Sequence, residues 1–392
     1  MKFTISQSEF AKVLNTSGRS LLTKTNLPIL SNILISAKDN KLEVVSTDLE
    51  TATSVKASAK VETSGEITVA GKTLTEFVSQ LPEGEIVFEK LGTEAAVSTK
   101  GYNARFATMP AEEFPAIPKI DKGVTAVLSA NGFVRAVARV AFSAAQDEGR
   151  PVLTGVLCEI SKGKLAMVAT DGYRLGFVEV NLLKTGVPNL KMIIPAKAVS
   201  EVAKILADMA DAGSQEASQN NKVTMLVGEA LNQVNFRVEN SAKESLEVEF
   251  TSRLIEGEFP NWQKIIPSVF VSKANIAKQD FVRLVRVASI FARDSGNIVR
   301  LKLEGAKGGK GTFSVNAVSS QVGSSDATCE INLEGKDGEI AFNFRYLLEI
   351  LSVLDDETIT FEMNESLNPG KITGQDPKDN FFHIIMPVRL QA

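Results

Sequence analysis

Few residue types in this chain could carry acid–base or metal chemistry. There is one histidine, His383, so a Cys/His zinc site, an HExxH helix or a Ser-His-Asp triad would have to use it. His383 lies in FFHIIMPVRL, a stretch typical of a strand, where we expect a packed or rim histidine. Asp and Glu are plentiful, but no spacing singles out a pair, so a carboxylate-only active site stays open. We expect no metal and no other cofactor.

The segment VATDGYRL, residues 168–175, combines a turn with side chains suited to binding. Asp171 and Gly172 between apolar runs predict a hairpin, because glycine accepts a positive φ and aspartate can bond nearby backbone N–H groups. An aromatic ring, a fixed cation and a leucine follow at once, as Tyr173, Arg174 and Leu175. The turn alone does not require them. They favour a surface built to hold a partner, and ordinary strand packing is the alternative.

Composition describes a chain that folds into several domains. It has 392 residues, of which 44% are apolar and 23% charged, and this length predicts two to four domains. No apolar run reaches the ~20 residues that a membrane-spanning helix needs. The first residues, MKFTISQSEF, lack the apolar segment of a signal peptide. Cys158 and Cys329 lie far apart in strand-like contexts, so we expect buried free thiols and a cytoplasmic location.

The chain contains an internal repeat at an offset of 123 residues. LPILSNILISAKDNKLEVVSTD and RPVLTGVLCEISKGKLAMVATD are the same unit twice, and the offset pairs Phe10 with Phe133, Pro28 with Pro151, Leu30 with Leu153, Leu42 with Leu165, Val45 with Val168, Thr47 with Thr170 and Asp48 with Asp171. A fainter third copy starts near Ala274, with Phe281 in the place of Phe10. One structural unit therefore occurs three times.

Each repeat also contains two amphipathic helical segments. The first has an apolar stripe, for example Phe10, Val13 and Leu14, and in the first repeat Ser6 and Glu9 form a capping-box pattern. The second segments are GKTLTEFVSQL, AKAVSEVAKIL and FRYLLEILSVL. They align the basic residues Lys72, Lys197 and Arg345 four positions before the acidic residues Glu76, Glu201 and Glu349, which makes the two columns neighbours on one helical face.

Strand-like runs around two helices per repeat predict an α+β fold with antiparallel sheets covered by helices. We place the three domains at 1–122, 123–268 and 269–392, with linkers at the segments FPAIPKIDKG and KIIPSVFVSK. Residues 208–222 are polar and have no counterpart in the other repeats. They are predicted to be a flexible surface loop inserted in the second domain.

Positive charge is concentrated in the helical segments. The six segments together carry +7 although the whole chain carries −4, and the first helices align Lys12, Arg135 and Arg283 in another basic column. Solvated helix faces are one interpretation; a shared surface for a polyanion held by its phosphates is the other. No aromatic stacking column or phosphate loop accompanies the cations, and GAKGGKGT, 305–312, is predicted to be a hairpin turn.

The motifs MKFTI, LPILSNILI, RPVLTGVL, VATDGYRL, FPNWQKIIP and MPVRL run through the whole chain, which resembles the bacterial sliding clamps, the beta subunits of DNA polymerase III. The resemblance implies three similar domains per chain and two chains closed head-to-tail into a ring. Helices would line the hole and face double-stranded DNA without reading its sequence. Sheets would form an acidic outer shell. Such a homodimer is a non-catalytic processivity factor.

The resemblance also implies an apolar peptide-binding pocket between the second and third domains. The polymerase alpha subunit, the clamp loader and repair proteins would dock there through short peptides. Many relatives have histidine where this chain has Tyr173, so the resemblance does not fix the shape or the partner preference of this subpocket. The matching residues are Leu153, Thr170, Gly172, Tyr173, Arg174, Leu175, Pro260, Ile265, Ile384, Met386, Pro387, Val388, Arg389 and Leu390.

Two further surfaces follow from the basic columns and the resemblance. The expected DNA contacts are Lys12, Lys24, Arg135, Arg139, Lys197, Lys264 and Arg283. The expected ring interface brings Arg105 and Phe106 of one chain against Ile290 and Phe291 of the other.

Two other classes of protein stay open at this point. One is a single-chain enzyme that uses carboxylates in a cleft between domains. The other is a peptide-binding scaffold unconnected with DNA, against which only the charge of the helices argues.

Overall fold

The computed structural model describes residues 1–120, 122–147, 149–184, 188–211, 221–228, 230, 232–239, 246–305, 309–376 and 379–389. Its helices confirm the predicted helical segments, since the second helix of each repeat begins at the expected residue. They are α1 (Gln7–Ser17), α2 (Gly71–Gln80), α3 (Ala130–Val140), α4 (Ala196–Asp211), α5 (Lys278–Ala292) and α6 (Phe344–Val353). No helix in these ranges is long and apolar enough to cross a membrane.

The chain forms two compact units. The first comprises Met1–Val134, Ser161–Gly163 and Leu182–Ile255. It contains a 13-stranded sheet with the spatial order β10 (Gly123–Ser129), β15 (Lys222–Gly228), β16 (Gln233–Glu239), β17 (Glu247–Arg253), β4 (Thr51–Ser58), β3 (Lys41–Thr47), β2 (Asn32–Lys38), β6 (Gly65–Ala70), β9 (Tyr102–Met109), β8 (Glu94–Thr99), β7 (Glu85–Leu91), β1 (Lys2–Ser6) and β5 (Lys60–Thr63). A further strand, β14 (Leu190–Pro195), precedes helix α4.

The second unit comprises Arg135–Ile160, Lys164–Asn181 and Glu256–Ala392. Its strands follow the spatial order β11 (Gly155–Ser161), β12 (Lys164–Thr170), β13 (Arg174–Asn181), β25 (Phe381–Ile385), β24 (Gly370–Thr373), β23 (Thr358–Met363), β18 (Ser272–Ala277), β21 (Gly323–Gly335), β20 (Lys310–Ser319), β19 (Ile298–Gly305) and β22 (Gly338–Asn343). The mixture of antiparallel sheets and packed helices confirms the α+β fold.

Helix α1 shows why the repeat folds as it does. The Ser6 hydroxyl accepts a hydrogen bond from the Glu9 N–H at 3.3 Å, so the N-cap half of the predicted capping box is present; the Glu9 carboxylate accepts from the Ser6 hydroxyl at 2.9 Å rather than from its backbone N–H. Phe10 is fully buried and meets the rings of Phe3 and Phe88 edge-on, at 5.9 and 6.4 Å between centroids. Burial of such a ring contributes roughly 1.5–3 kcal/mol, and Phe10→Ala would cost about 3–5 kcal/mol.

The predicted loop at 208–222 is wrong at both ends. Helix α4 continues through Asp211, and strand β15 begins at Lys222, while residues 212–220 lie outside the described part of the chain. The extra helical turn has a partner that the sequence did not reveal: Arg19 pairs with Asp208, and with Glu201 at 2.9 Å. Asp208 thus belongs to an ion pair with a segment nearly two hundred positions earlier, which local periodicity does not reveal.

The glycine-rich segment 305–312 includes the end of one strand, at Gly305, and the start of the next, at Lys310. Strands β19 and β20 are antiparallel on either side of it, with Gly305 opposite Gly311. Residues 306–308 themselves lie outside the described ranges.

Candidate functional site

The VATDGYRL segment forms a tight turn between strands β12 and β13. The Thr170 hydroxyl donates to the Arg174 carbonyl at 2.6 Å and accepts from the Gly172 N–H at 3.0 Å. The Asp171 carboxylate accepts from the N–H groups of Tyr173 and Arg174 at 2.8 and 3.0 Å. Gly172 has φ +92°, a value that glycine adopts without steric cost. The hairpin expected from Asp-Gly is therefore confirmed.

Arg174 is an anchor for this turn rather than a free cation. It is 7% exposed, and its guanidinium donates to Asp171 at 3.1 Å, to the Phe142 carbonyl at 2.7 Å and to the Glu349 carboxylate. It also lies over the Tyr346 ring, 4.5 Å from the centroid. The prediction that Arg174 bonds a peptide is corrected, because its donors are committed within the second unit.

His383 is packed in the core behind the turn, as its strand context predicted. It lies opposite Gly176 in the β13–β25 pairing, is fully buried, and stacks on Phe142 with 5.4 Å between centroids. Burial, and then the charge of Arg174, lower the pKa of His383 from its usual 6.5 to about 3. The only histidine is therefore neutral at physiological pH.

The exposed part of the candidate site joins the turn to the end of the chain. Tyr173 is 61% exposed, and its carbonyl accepts a hydrogen bond from the Met386 N–H at 2.8 Å. Met386, Pro387 and Val388 are half-buried and Arg389 is exposed. Leu390, also predicted here, lies outside the described residues. An aromatic ring, a thioether, apolar side chains and a cation thus belong to one surface region of the second unit.

Four predicted wall residues are buried beneath this region. Leu175 and Ile384 are direct partners in the β13–β25 pairing and are 2% and 1% exposed. Leu153 and Thr170 are 5% and 4% exposed. Their low exposure places them at the base of this region, and their contact with a peptide stays a prediction.

The FPNWQKII segment is fastened to the same two strands. Trp262 lies 5.2 Å from Phe177 of β13 and 6.5 Å from Phe382 of β25, centroid to centroid. This packing leaves Pro260 exposed and Ile265 half-buried. Both keep accessible surface in the second unit.

One contributor to the turn was missed by the sequence reasoning. The Arg150 guanidinium donates to the Asp171 carbonyl at 3.0 Å and approaches Gly172, where an added Cβ would lie 3.3 Å from it. The available signal was its position immediately before Pro151 in RPVLTG, the motif that carries Leu153.

The predicted DNA-binding cations differ in availability. Arg135 is half-exposed and lies 3.2 Å from Asp379 and 3.6 Å from Asp355. Arg283 lies 3.7 Å from Asp280 on its own helix. The residues Lys12, Lys24, Lys197, Lys264 and Arg283 are all exposed.

Arg139 does not belong to this set. It is 1% exposed, pairs with Asp379, and lies 5.0 Å above the Phe381 ring. A buried guanidinium cannot contact phosphates on a surface, so the prediction of DNA binding by Arg139 is wrong. The helical spacing was read correctly, but the partners come from a segment 240 residues later.

The residues expected at a ring interface are exposed within their own units. In the first unit the Arg105 side chain is 70% exposed, and half-buried Phe106 meets Phe77 edge-on at 5.6 Å. In the second unit Ile290 is 55% exposed on helix α5, with Phe291 half-buried beside it. Val287, which the sequence reasoning did not select, is 41% exposed one turn earlier.

Comparisons with known proteins agree along the whole chain. Family models for the DNA polymerase III beta subunit match residues 1–118 as the N-terminal domain, 127–261 as the central domain and 263–389 as the C-terminal domain.

Two similar proteins that match over their full length are both named beta sliding clamp. Proteins named beta sliding clamp from Streptomyces coelicolor and Chlamydia muridarum are 29% and 28% identical, covering 100% of this chain and 100% and 99% of their own lengths. The crystal structure of the DNA polymerase III beta subunit from Thermotoga maritima matches with a TM-score of 0.88 and 25% identity, over 100% of both chains. The three domain models follow one another along the chain, and the full-length matches cover it from end to end. The chain belongs to the DNA polymerase III beta subunit family, the bacterial sliding clamps.

Proposed function

We propose that two copies of this sliding clamp close head-to-tail into a ring that encircles duplex DNA and tethers the replicative polymerase to it. Each copy would contribute domains at 1–122, 123–268 and 269–392. The observation that carries the proposal is the full-length match to three consecutive clamp domains, in a chain whose helices hold exposed cations although its net charge is −4. A linked ring needs only loose phosphate contact, so an acidic chain can hold DNA.

The proposed ring has no catalytic role. His383 supports this, because the imidazole of the chain's one histidine is fully buried and cannot reach a substrate. Processivity requires persistence on DNA and a tether, and neither requires chemistry.

The proposed DNA contacts are cations with solvent-exposed side chains, and they bind phosphates without reading bases. Long-range charge attraction of this kind weakens as salt rises, because each neutralised phosphate releases counterions. The set is Lys12, Lys24, Arg135, Lys197, Lys264 and Arg283.

The proposed ring interface pairs Arg105 and Phe106 of one copy with Ile290 and Phe291 of the next. An exposed isoleucine beside Val287 on one helix is apolar area that a partner would remove from water. A head-to-tail contact closes into a ring when its rotation closes.

The proposed tether is a short peptide that docks on the exposed region around Tyr173. Met386, Pro387 and Val388 supply apolar contact, and Arg389 supplies a cation for a peptide carbonyl or carboxylate. Gly172, Pro260 and Ile265 complete the exposed set, and buried Leu153, Thr170, Leu175 and Ile384 form its support. The polymerase alpha subunit, the clamp loader and repair proteins are the proposed owners of such peptides.

Molar mass in solution tests the interface. The wild-type chain should run at about twice 42.2 kDa by light scattering. Ile290→Asp should halve that mass, because a carboxylate cannot be buried there without a partner. Val318→Asp is the matched control, since Val318 is 65% exposed on strand β20 and lies outside the proposed interface. A monomeric wild type, or an unchanged mass for Ile290→Asp, would remove the ring.

Charge reversal tests the DNA surface. The triple variant Lys12→Glu, Lys197→Glu and Arg283→Glu should be retained less well on circular DNA, with a weaker dependence on salt. A control triple with the same change in net charge, Lys38→Glu, Lys60→Glu and Lys310→Glu, alters exposed cations outside the helices. Equal loss in both triples would assign the effect to net charge rather than to the helices.

A further inference from the structure

A connecting segment of the first unit lies over the outer face of its sheet. Residues 114–120, FPAIPKI, have no regular secondary structure and contain two prolines, which favour an extended backbone at and before each proline. Phe114 is buried at one end, whereas Ala116 is exposed. We call residues 115–118 the strap.

The strap and the sheet enclose a cavity of about 450 Å³, a volume in the range of small-ligand and peptide sites. A second cavity of about 120 Å³ lies on the other flank of the strap and shares the strap residues, Ala52 and Thr251 with the first. The strap therefore borders open space on two sides, and the two cavities share part of its lining.

The cavity floor consists of side chains that alternation points away from the core. Val45, Ala52 and Thr251 lie on strands β3, β4 and β17, and their chain neighbours face the interior. Val45 and Ala52 are each only 7% exposed although they lie on the outer face. The floor thus offers apolar surface in a covered position.

An amide in this floor has a hydrogen-bonding atom without a partner. Asn235 is 6% exposed, donates to the Thr251 hydroxyl at 2.9 Å, and has no partner for its side-chain carbonyl oxygen within the described residues. Exchanging the oxygen and nitrogen of the amide would only leave the nitrogen unpaired instead. A buried amide in either orientation therefore lacks one hydrogen bond, which costs free energy until a ligand or solvent supplies it.

Charges in the floor are mutually satisfied. Lys56 lies 3.8 Å from Glu43, and Arg237 lies 3.4 Å from Glu249. Each cation thus has a carboxylate beside it on the neighbouring strand. This arrangement does not favour a phosphate or another strongly charged ligand.

The backbone of the strap is available to pair with an extended segment of another protein. No backbone–backbone hydrogen bond of residues 115–120 occurs within the described part of the chain. The N–H and C=O groups of Ala116 and Ile117 can therefore pair with another extended segment, as in recognition by strand addition. An apolar side chain of that segment would enter the covered floor.

We propose that the space beneath the strap is a second peptide-docking site, separate from the region around Tyr173. Its occupant is a short extended segment of a partner protein, without net charge at the docked residues. The segment pairs its backbone with Ala116 and Ile117, places one apolar side chain over Val45 and Ala52, and completes the hydrogen bonds of Asn235.

A phage-displayed library of linear heptapeptides, selected on the full-length chain, provides the probe. The library is first depleted on the variant Ala52→Leu, whose larger side chain fills the floor, and surviving peptides are measured by fluorescence anisotropy. The matched control is Ala166→Leu, the same change at a half-exposed position on β12. We expect at least tenfold weaker binding to Ala52→Leu and Asn235→Leu, and no change with Ala166→Leu or Met386→Ala.

A third variant guards against effects on folding. Ala116→Pro removes one exposed backbone N–H from a segment that already contains two prolines, and it should also weaken binding, about fivefold. The melting temperature of each variant should stay at or above the wild-type value, and the dimer mass should be unchanged. Failure to recover any peptide that distinguishes wild type from Ala52→Leu would overturn the proposal. So would peptides that Met386→Ala weakens equally, because they would belong to the other site.

Discussion

The same turn occurs in both units, and the two copies differ in what they present. In the first unit the Thr47 hydroxyl donates to the Thr51 carbonyl at 2.7 Å and accepts from the Leu49 N–H at 3.0 Å. In the second, the repeat counterpart Thr170 makes the equivalent bonds to Arg174 and Gly172. The duplication has kept the hydrogen bonds that fix the backbone.

The differences lie in the side chains around that shared backbone. Leu49 has φ +76°, where the second copy has Gly172 at +92°. Thr51 is replaced by Arg174, which reaches helix α6 through Glu349. The second copy thus has glycine where the first has a strained leucine, and it has an anchor in Arg174 beside the exposed Tyr173.

The neighbouring strands extend the comparison. Thr53 of the first copy lies opposite Phe250, which is 1% exposed. The counterpart of Thr53 is Gly176, which lies opposite His383. A buried histidine therefore takes the place of a buried phenylalanine behind the second turn.

Arg174→Ala should have the largest effect on stability. It removes hydrogen bonds to Asp171 and the Phe142 carbonyl and leaves the half-exposed Glu349 unpaired, so we expect the free energy of unfolding to fall by about 2–3 kcal/mol. Thr51→Ala, the first-unit counterpart, should cost less, about 1 kcal/mol, because its single hydroxyl proton can serve only one acceptor at a time, the Asp48 carboxylate at 2.9 Å or the Ser20 hydroxyl at 3.1 Å. Urea titrations of both variants measure the difference; equal losses would contradict the role of Arg174 as an anchor.

His383 should make the second copy sensitive to acid. Its pKa of about 3 in the folded chain lies below the unfolded value of 6.5, so the unfolded state binds the proton first as pH falls. Stability is fully present above pH 6.5 and declines between pH 6.5 and 3, by about 2 kcal/mol at pH 5. His383→Phe introduces the residue that the first copy has at Phe250. In this variant the free energy of unfolding should fall by about 2 kcal/mol less between pH 7.5 and pH 5 than in the wild type. An unaltered pH dependence in the variant would contradict a neutral buried imidazole.

Substitution of the residue with positive φ, Leu49 in the first turn and Gly172 in the second, should change the free energy of unfolding in opposite directions. Gly172→Ala should lower the free energy of unfolding by about 1 kcal/mol, because alanine resists positive φ. Leu49→Gly should raise it by roughly 0.5 kcal/mol, since the relief of strain exceeds the entropy cost of glycine. Thermal melts at constant pH check both signs, and destabilisation by Leu49→Gly would refute strain in the first turn.

Tyr173→Ala should leave stability within about 0.5 kcal/mol, because the ring is 61% exposed. It should nevertheless weaken binding of a polymerase-derived clamp-binding peptide about tenfold in a fluorescence titration. Glu50→Ala, the counterpart in the first turn, is the control and should leave peptide binding unchanged. If the two variants behaved alike, the second turn would have no special part in peptide docking.

Local elements of the fold could be predicted because the same helical pattern occurs in each of the three repeats. Helices α2, α4 and α6 begin where aligned Gly71, Ala196 and Phe344 placed them. The N-cap at Ser6 depends on residues three apart, which a sequence displays directly.

Partners distant in sequence could not be predicted. Arg139 fits a basic helical column, yet Asp379 and Phe381 bury it. Nothing in VATDGYRL points to Glu349, so the pairing of Arg174 with that distant carboxylate could not be predicted. The burial of Asn235 likewise depends on the strap, which lies more than a hundred positions earlier in the chain. Local periodicity gives the face of an element but does not say what covers that face.

Retention on closed and cut DNA tests the sliding-clamp function most directly. Labelled protein is assembled with its clamp loader on a singly nicked circular plasmid, and half of the sample is linearised with a restriction enzyme before gel filtration. We predict that the protein stays with the circle through a high-salt wash and is lost from the linear molecule by sliding off its ends. Equal retention on circular and linear DNA would contradict a ring that holds DNA by encircling it.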